Sequence, residues 1–323
     1  MESGKYVARL IRSTIRDTTE LVDTIVDSAA TRPLGSGIQR MQEWIDAQAR
    51  RDFFSYIFNQ SVGASERTLR SSAEMAASIA ILLESDSTLM VSPHVLARAV
   101  GEGIMRICYV ADPAVTPPQT LLRMAAFELA THEGNFSTMR AFGDREKDEL
   151  ESLRGNITLM HRWLTDSGIA RTPARREPFS TSLSLEGHVE NISFNATAAY
   201  ERYMPASAWS YNLGSGATHS RGWMLPSLVG TIEEDALATP ADSAATIGHI
   251  ILDVADALAR IGAGHAGIAV DAFLRATHLR RNGIVRMGGR GSDISLNYAE
   301  YASRFVGPNE PLDGDGSAFR RSP

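Results

Sequence analysis

The stretch SPHVLARAVGEGIMRICYV, Ser92 to Val110, decides the fold class. A hydroxyl residue followed by proline suits a helix start, where the missing proline N–H costs nothing and the fixed φ is already helical. Behind it, Leu96, Ala99, Val100, Gly103, Ile104 and Ile107 fall on one broad arc at about 100° per residue, the period of an amphipathic helix. Met105 and Tyr109 leave room for a second packed layer. Thr116-Pro117 and Thr239-Pro240 repeat the same start. Gln119, three residues after Thr116, completes a capping-box pattern, and Asp242 places an acid where the helix dipole favours it.

Working outward, the same period predicts helices over about 5–29, 38–60, 65–85, 118–132, 146–166, 189–203, 242–260 and 266–281. Phe179 to Leu185 is the only short strand candidate. Thr31 to Gly37 and Gly168 to Ser182 read as linkers, because Pro, Gly, Ser and Arg accumulate there. The expected fold is all-α, a multi-helix bundle or orthogonal helical array with a disordered C-terminal tail. Three segments are expected: an N-terminal helical segment over 1–62, a main helical domain over 63–285, and a flexible region over 286–323. Within the last, Gly307 to Pro323 holds too little apolar material to offset the entropy of ordering.

Composition narrows the function classes. Apolar residues make up 43% of the 323 and charged residues 22%, which is globular usage. A net charge of −6 argues against a broad surface for duplex DNA. Cys108 is the single cysteine, so no intrachain disulfide forms, and it reads as a small buried hydrophobe in a reducing compartment. Lys5 and Lys147 are the only lysines against many arginines, a codon signature of a GC-rich bacterial genome. The first thirty residues lack a signal-peptide pattern, and no uncharged apolar run is long enough to span a bilayer. Ile247 to Leu258 carries His249, Asp253 and Asp256 and is expected to be a core helix. The expected location is cytoplasmic, with no membrane partner.

Arg98, Glu102 and Arg106 stack on one helix face at four-residue spacing. They fit an anion-binding or acid-orienting ladder, but the face lies opposite the main apolar arc, which favours a solvated ion-pair strip. Arg154 and His161, seven residues apart, return to within about 20° of one direction beside the arc of Leu150, Leu153, Ile157, Met160 and Leu164. Tyr211, Ser215 and His219 share a face if their segment is helical, with Gly214, Gly216 and Ala217 allowing close approach and Trp209 and Trp223 flanking. His219 is expected to be buried and hydrogen-bonded there. Arg275, Arg280, Arg281, Arg286 and Arg290 occur with no acid between Asp271 and Asp293, an anion-seeking surface in sequence. Glu128 with His132, and His249 with Asp253, lack a third ligand in a recognised spacing, so no metal site is expected. No phosphate loop or nucleophile elbow is present, so no cofactor is expected.

The pair Arg154 and His161 resembles the Arg-x4–6-His motif of HEPN-type helical ribonucleases. That resemblance implies metal-independent RNA cleavage, with the two side chains meeting across a homodimer. The run from Ser92 to Glu102, followed by Ala111-Asp112-Pro113, and the later Tyr211, Ser215 and His219 resemble a group of uncharacterised helical actinobacterial proteins over about 90–225. That group pairs an Arg/Glu helix with a late Ser/His helix, and no activity comes with it. Two readings stay open. One is a helical binding or regulatory protein of a protein or RNA partner, such as a bacterial defence or toxin-like component, using Arg98, Glu102, Tyr211, Ser215 and His219, with Arg275, Arg280 and Arg281 as an anion surface. The alternative is a HEPN-like ribonuclease using Arg154 and His161.

Overall fold

The computed structural model describes residues 2–85, 91–142, 147–219 and 240–287. Helix accounts for 79% of the described residues, and the fold is an all-α multi-helix one carrying a small three-stranded sheet. The tail expected beyond Gly307 lies outside the described residues.

Helix α1 spans Glu2–Thr31, and a turn closed by Ser36 N–H donating to Pro33 O at 3.0 Å leads into α2, Gly37–Asp46. Helix α3 then runs unbroken over Arg51–Glu84. The helices expected at 38–60 and 65–85 are therefore divided elsewhere, near residues 47–50. Gly63 lies inside α3 and does not break it, since an interior glycine costs only about 1 kcal/mol and no proline is present.

Helix α4 covers Val91–Val110 and already contains Ser92, so Ser92 is not its N-cap. Its buried positions include His94, Ala97, Gly101, Met105 and Cys108 besides Val100, Ile104 and Ile107. The buried face is wider than the expected arc because α4 is covered from more than one side, as described below. Helix α5, Pro117–Ala141, does start at Thr116-Pro117, but the Thr116 side chain makes no capping bond, so the capping box with Gln119 does not form. Its hydroxyl instead lies 3.3 Å from His188 Nε2.

Helix α6 occupies Lys147–Asp166. After it, the expected linker is a sheet: β1 (Ala170–Pro173), β2 (Ser180–Leu185) and β3 (His188–Asn191) pair antiparallel in that order. Leu185 faces His188 across a two-residue turn, Glu186-Gly187, with φ of 50° and 82°. Positive φ at both positions is what a tight hairpin following the strand twist demands, and glycine meets it freely. The helix expected over 189–203 is thereby shortened to α7, Ala196–Tyr203. A 3-10 turn at Pro205–Ser207, α8 (Trp209–Thr218), α9 (Pro240–Ala266) and α10 (Asp271–Met287) follow.

The chain packs as two units. Among the described residues the larger comprises 2–37, 67–85, 91–114, 196–219 and 240–287; the smaller comprises 38–66, 115–142 and 147–195. In the larger unit α9 packs against α1, α4 and α10, and α4 is also covered by α7 and α8. Ile247, Ile250, Ile251, Leu252, Val254 and Leu258 are all buried, so α9 is the core helix its sequence predicted. Each such side chain contributes about 1.5–3 kcal/mol on leaving water. In the smaller unit α5 packs on α6, β2 and β3, and α6 packs on β1. No helix among the described residues is long and apolar enough to cross a membrane.

Candidate functional site

Three of the predicted side chains meet in the larger unit. Arg98 Nε donates to Glu102 Oε1 at 2.7 Å, and the same guanidinium lies 5.1 Å from the Tyr211 ring centroid. Small residues make this meeting possible. A Cβ on Gly214 would stand 2.6 Å from Arg98 Cβ, and one on Gly101 would stand 1.8 Å from the Tyr200 hydroxyl oxygen. Tyr200 and Tyr211 rings are 5.3 Å apart, and burial, then the Glu102 charge, pushes the Tyr200 hydroxyl pKa up. Arg98 is thus half-buried under α8, whereas Arg106 is exposed.

Ser215 is half-buried on the same helix, but His219 is not part of the packed crossing. Helix α8 ends at Thr218, and His219 is its exposed C-cap, its backbone N–H donating to Ser215 O at 3.0 Å. The expected burial of His219 is corrected: one residue past the helix end, the four-residue spacing no longer directs the ring inward. Trp209 is half exposed, at 50%, and Trp223 lies outside the described residues.

The arginines of α10 have separate surroundings. Arg275 is exposed. Arg280 donates to Ser13 Oγ at 2.8 Å and pairs with Asp17, both on α1. Arg281 is buried between Asp253 and Asp256 of α9, the latter at 3.0 Å. Acids distant in sequence therefore answer two of the three charges. Arg286 is exposed, and Arg290 lies outside the described residues.

The smaller unit gathers the chemistry differently. Arg154 on α6 is exposed, with its guanidinium 5.6 Å from the ring centroid of Phe136 on α5. Phe136 meets Phe179 edge-on at 6.0 Å, and Arg140, at the end of α5, lies 5.7 Å from the Phe179 centroid. Arg171 of β1 reaches Phe179 O, Ser180 Oγ and Glu177 Oε1, each at 3.4 Å. Phe136 is 1% exposed, so its ring supports a guanidinium and offers no face to a ligand. Cation–π contacts of this kind contribute about 0.5–1 kcal/mol at exposed sites, enough to bias a long side chain toward one position.

His161 enters the same cluster. Its Nε2 is buried without a hydrogen-bond partner among the described residues. Burial, then the Arg171 charge, lowers its pKa from the usual imidazole value, with Glu177 opposing. Glu133 of α5, 6% exposed, is bonded by the Ser180 hydroxyl and backbone N–H, while its Oε1 has no partner. Burial raises the Glu133 pKa. Arg154 and His161 thus border one aromatic and basic cluster, although seven residues of helix separate them by about 10 Å of rise.

Arg140, Arg171, Phe179 and Glu133 were not singled out in the sequence. The available signal was the basic run Arg171, Arg175 and Arg176 ahead of Phe179, which its prolines made read as a linker. Among the described residues no group of three His, Cys, Asp or Glu side chains could hold a metal ion. No family model, curated protein or solved structure matches the chain.

Proposed function

We propose that the chain is a noncatalytic helical binding protein whose smaller unit takes single-stranded RNA by its phosphates. The observation that carries this reading is the placement of Arg140 and Arg154. Both are exposed, both lie over phenylalanine rings, and neither pairs with a carboxylate among the described residues. Guanidinium groups held in place match phosphate oxygens bidentately and lose little entropy on binding. Because Phe136 is buried, bases gain no stacking platform from it, and recognition is of the backbone with little sequence preference. A reducing bacterial cytoplasm suits the buried thiol of Cys108.

Fluorescence anisotropy with a short labelled oligouridylate tests this. Binding that weakens about tenfold or more in Arg140→Gln/Arg154→Gln is expected, since each charge-assisted contact contributes about 1.5–3 kcal/mol. Absence of RNA binding, together with capture of polyglutamate at the same arginines, would replace RNA with an acidic protein partner.

A second reading rests on His161. A ring nitrogen without a partner, on an imidazole that burial keeps neutral, can act as a general base. With Arg154 holding phosphate, that is the HEPN-like, metal-independent ribonuclease, and a homodimer would bring the two side chains into one cleft. Cleavage of RNA in excess chelator, abolished by His161→Ala with the fold intact, would establish it over the binding reading.

A further inference from the structure

The loop joining β1 to β2 is shaped by its own backbone. Ala174 N–H donates to Phe179 O at 2.9 Å, and Phe179 N–H donates to Arg176 O at 3.1 Å. These two bonds close the loop at its base and leave Arg175, Arg176 and Glu177 exposed at its tip. Neither Arg175 nor Arg176 forms an ion pair or a side-chain hydrogen bond among the described residues. Glu177, the one acid of the tip, is 63% exposed and meets Arg171 at 3.4 Å, the outer edge of hydrogen bonding.

The base of this loop is also where the other exposed arginines of the smaller unit are anchored. The Phe179 ring meets Phe136 edge-on at 6.0 Å, and Arg140 lies 5.7 Å from the Phe179 centroid. Phe136 in turn supports Arg154 at 5.6 Å. Arg140 and Arg154 therefore rest on two rings in contact, and one of those rings belongs to the residue that bonds the Arg176 carbonyl. Every guanidinium in this chain of contacts belongs to an exposed residue, so an anion meets them without any buried atom being uncovered.

Resting on the RNA-binding reading, we propose that the β1–β2 loop is a second phosphate-binding arm of that site. Arg175 and Arg176 meet phosphates beyond those held by Arg140 and Arg154, and Glu177 opposes the strand. A polyanion suits such a surface because each phosphate neutralised releases condensed counterions, whereas unpaired cations side by side repel one another. The loop also gives the arm a fixed place. Its two backbone bonds hold the arginine-bearing peptides, so that ordering the two side chains is the main entropy lost on binding.

Fluorescence anisotropy of the full chain with a labelled oligouridylate of about ten nucleotides, within the span of known single-strand sites, tests this. In Arg175→Gln/Arg176→Gln the slope of log affinity against log salt should fall by about 1.4, and affinity at low salt by about tenfold. Both side chains are exposed, so the melting midpoint should stay where it is. Glu177→Gln should bind about two- to fivefold more tightly, the size of an exposed charge interaction, which damage to the loop would not produce. Wild-type affinity and slope in the double variant, with binding still lost in Arg140→Gln/Arg154→Gln, would overturn the second arm and leave the binding reading intact. Weakened binding at an unchanged slope would also overturn it, because the arginines would then act on loop shape and not on phosphate. Glu177→Gln binding no more tightly than wild type would count against the arm as well, since a carboxylate beside bound phosphates must repel them. RNA unbound by the wild-type protein would overturn both.

Discussion

Arg281 donates to Asp256 at 3.0 Å in the core of the larger unit, and the two side chains are only 6% and 1% exposed. Asp253 pairs with the same guanidinium and also accepts from Ser207, while Thr277 donates to Asp256 at 2.5 Å. One cation thus joins two carboxylates on α9 to α10. Removing it by Arg281→Met should cost about 3–5 kcal/mol, since two carboxylates would remain buried without their cation. Equilibrium urea unfolding measures it; a loss below about 1 kcal/mol would contradict the arrangement.

The same network sets a pH dependence. Burial pushes the Asp256 pKa up to about 6 from its ordinary 3.8, with Arg281 and Thr277 opposing. The native state therefore binds this proton more tightly than the unfolded chain. The resulting stabilisation is full below about pH 4 and is lost as pH rises through about 6. Its size is on the order of 3 kcal/mol. Asp256→Asn should remove this component, and unfolding midpoints of the two proteins across pH 4 to 7 should diverge accordingly.

Close approach governs α4. Gly101→Ala would press a methyl group onto the Tyr200 hydroxyl, and Gly214→Ala onto the Arg98 side chain. Each should destabilise by about 1–3 kcal/mol through overpacking. The denaturant midpoint should fall while the slope of the transition stays unchanged.

Salt dependence separates phosphate contacts from other binding. If Arg140 and Arg154 each neutralise one phosphate of single-stranded RNA, their joint substitution should lower the slope of log affinity against log salt by about 1.4. An unchanged slope would place the RNA elsewhere.

His219→Ala should change stability by no more than about 0.5 kcal/mol, as expected of an exposed side chain. What His219 contributes to α8 is a backbone bond, which alanine keeps. Thermal unfolding of the variant is the check.

The contrast between His219 and α9 shows what local pattern conveys. Periodicity located α1, α5, α6 and α9 because each buries a face long enough to repeat several times. It failed at His188–Asn191, where four residues are a strand only because β2 supplies hydrogen-bond partners. Arg280 and Arg281 looked unopposed because Asp17 lies 263 residues from Arg280, and Asp256 lies 25 from Arg281. The position of Arg154 and His161 on α6 was legible from spacing. Arg140, Arg171 and Phe179 were not, since folding of the β1–β2 hairpin sets β1 with Arg171 on α6 and Phe179 against Phe136 and Arg140 of α5.

Asp112 receives Arg202 through two nitrogens, at 3.0 and 2.7 Å, the Tyr203 hydroxyl at 2.9 Å and the Ala114 backbone N–H at 3.0 Å. These bonds knot the chain at a neck, joining Asp112 and Arg202, which lie 90 positions apart. Drawing shut a flexible loop of that length costs about 4 kcal/mol in its length-dependent part alone. A single carboxylate that accepts from Arg202, Tyr203 and the Ala114 backbone therefore closes a long excursion of the chain. Asp112→Asn, which keeps the shape and halves the acceptors, should slow the closing of that neck during refolding more than it alters the helices on either side.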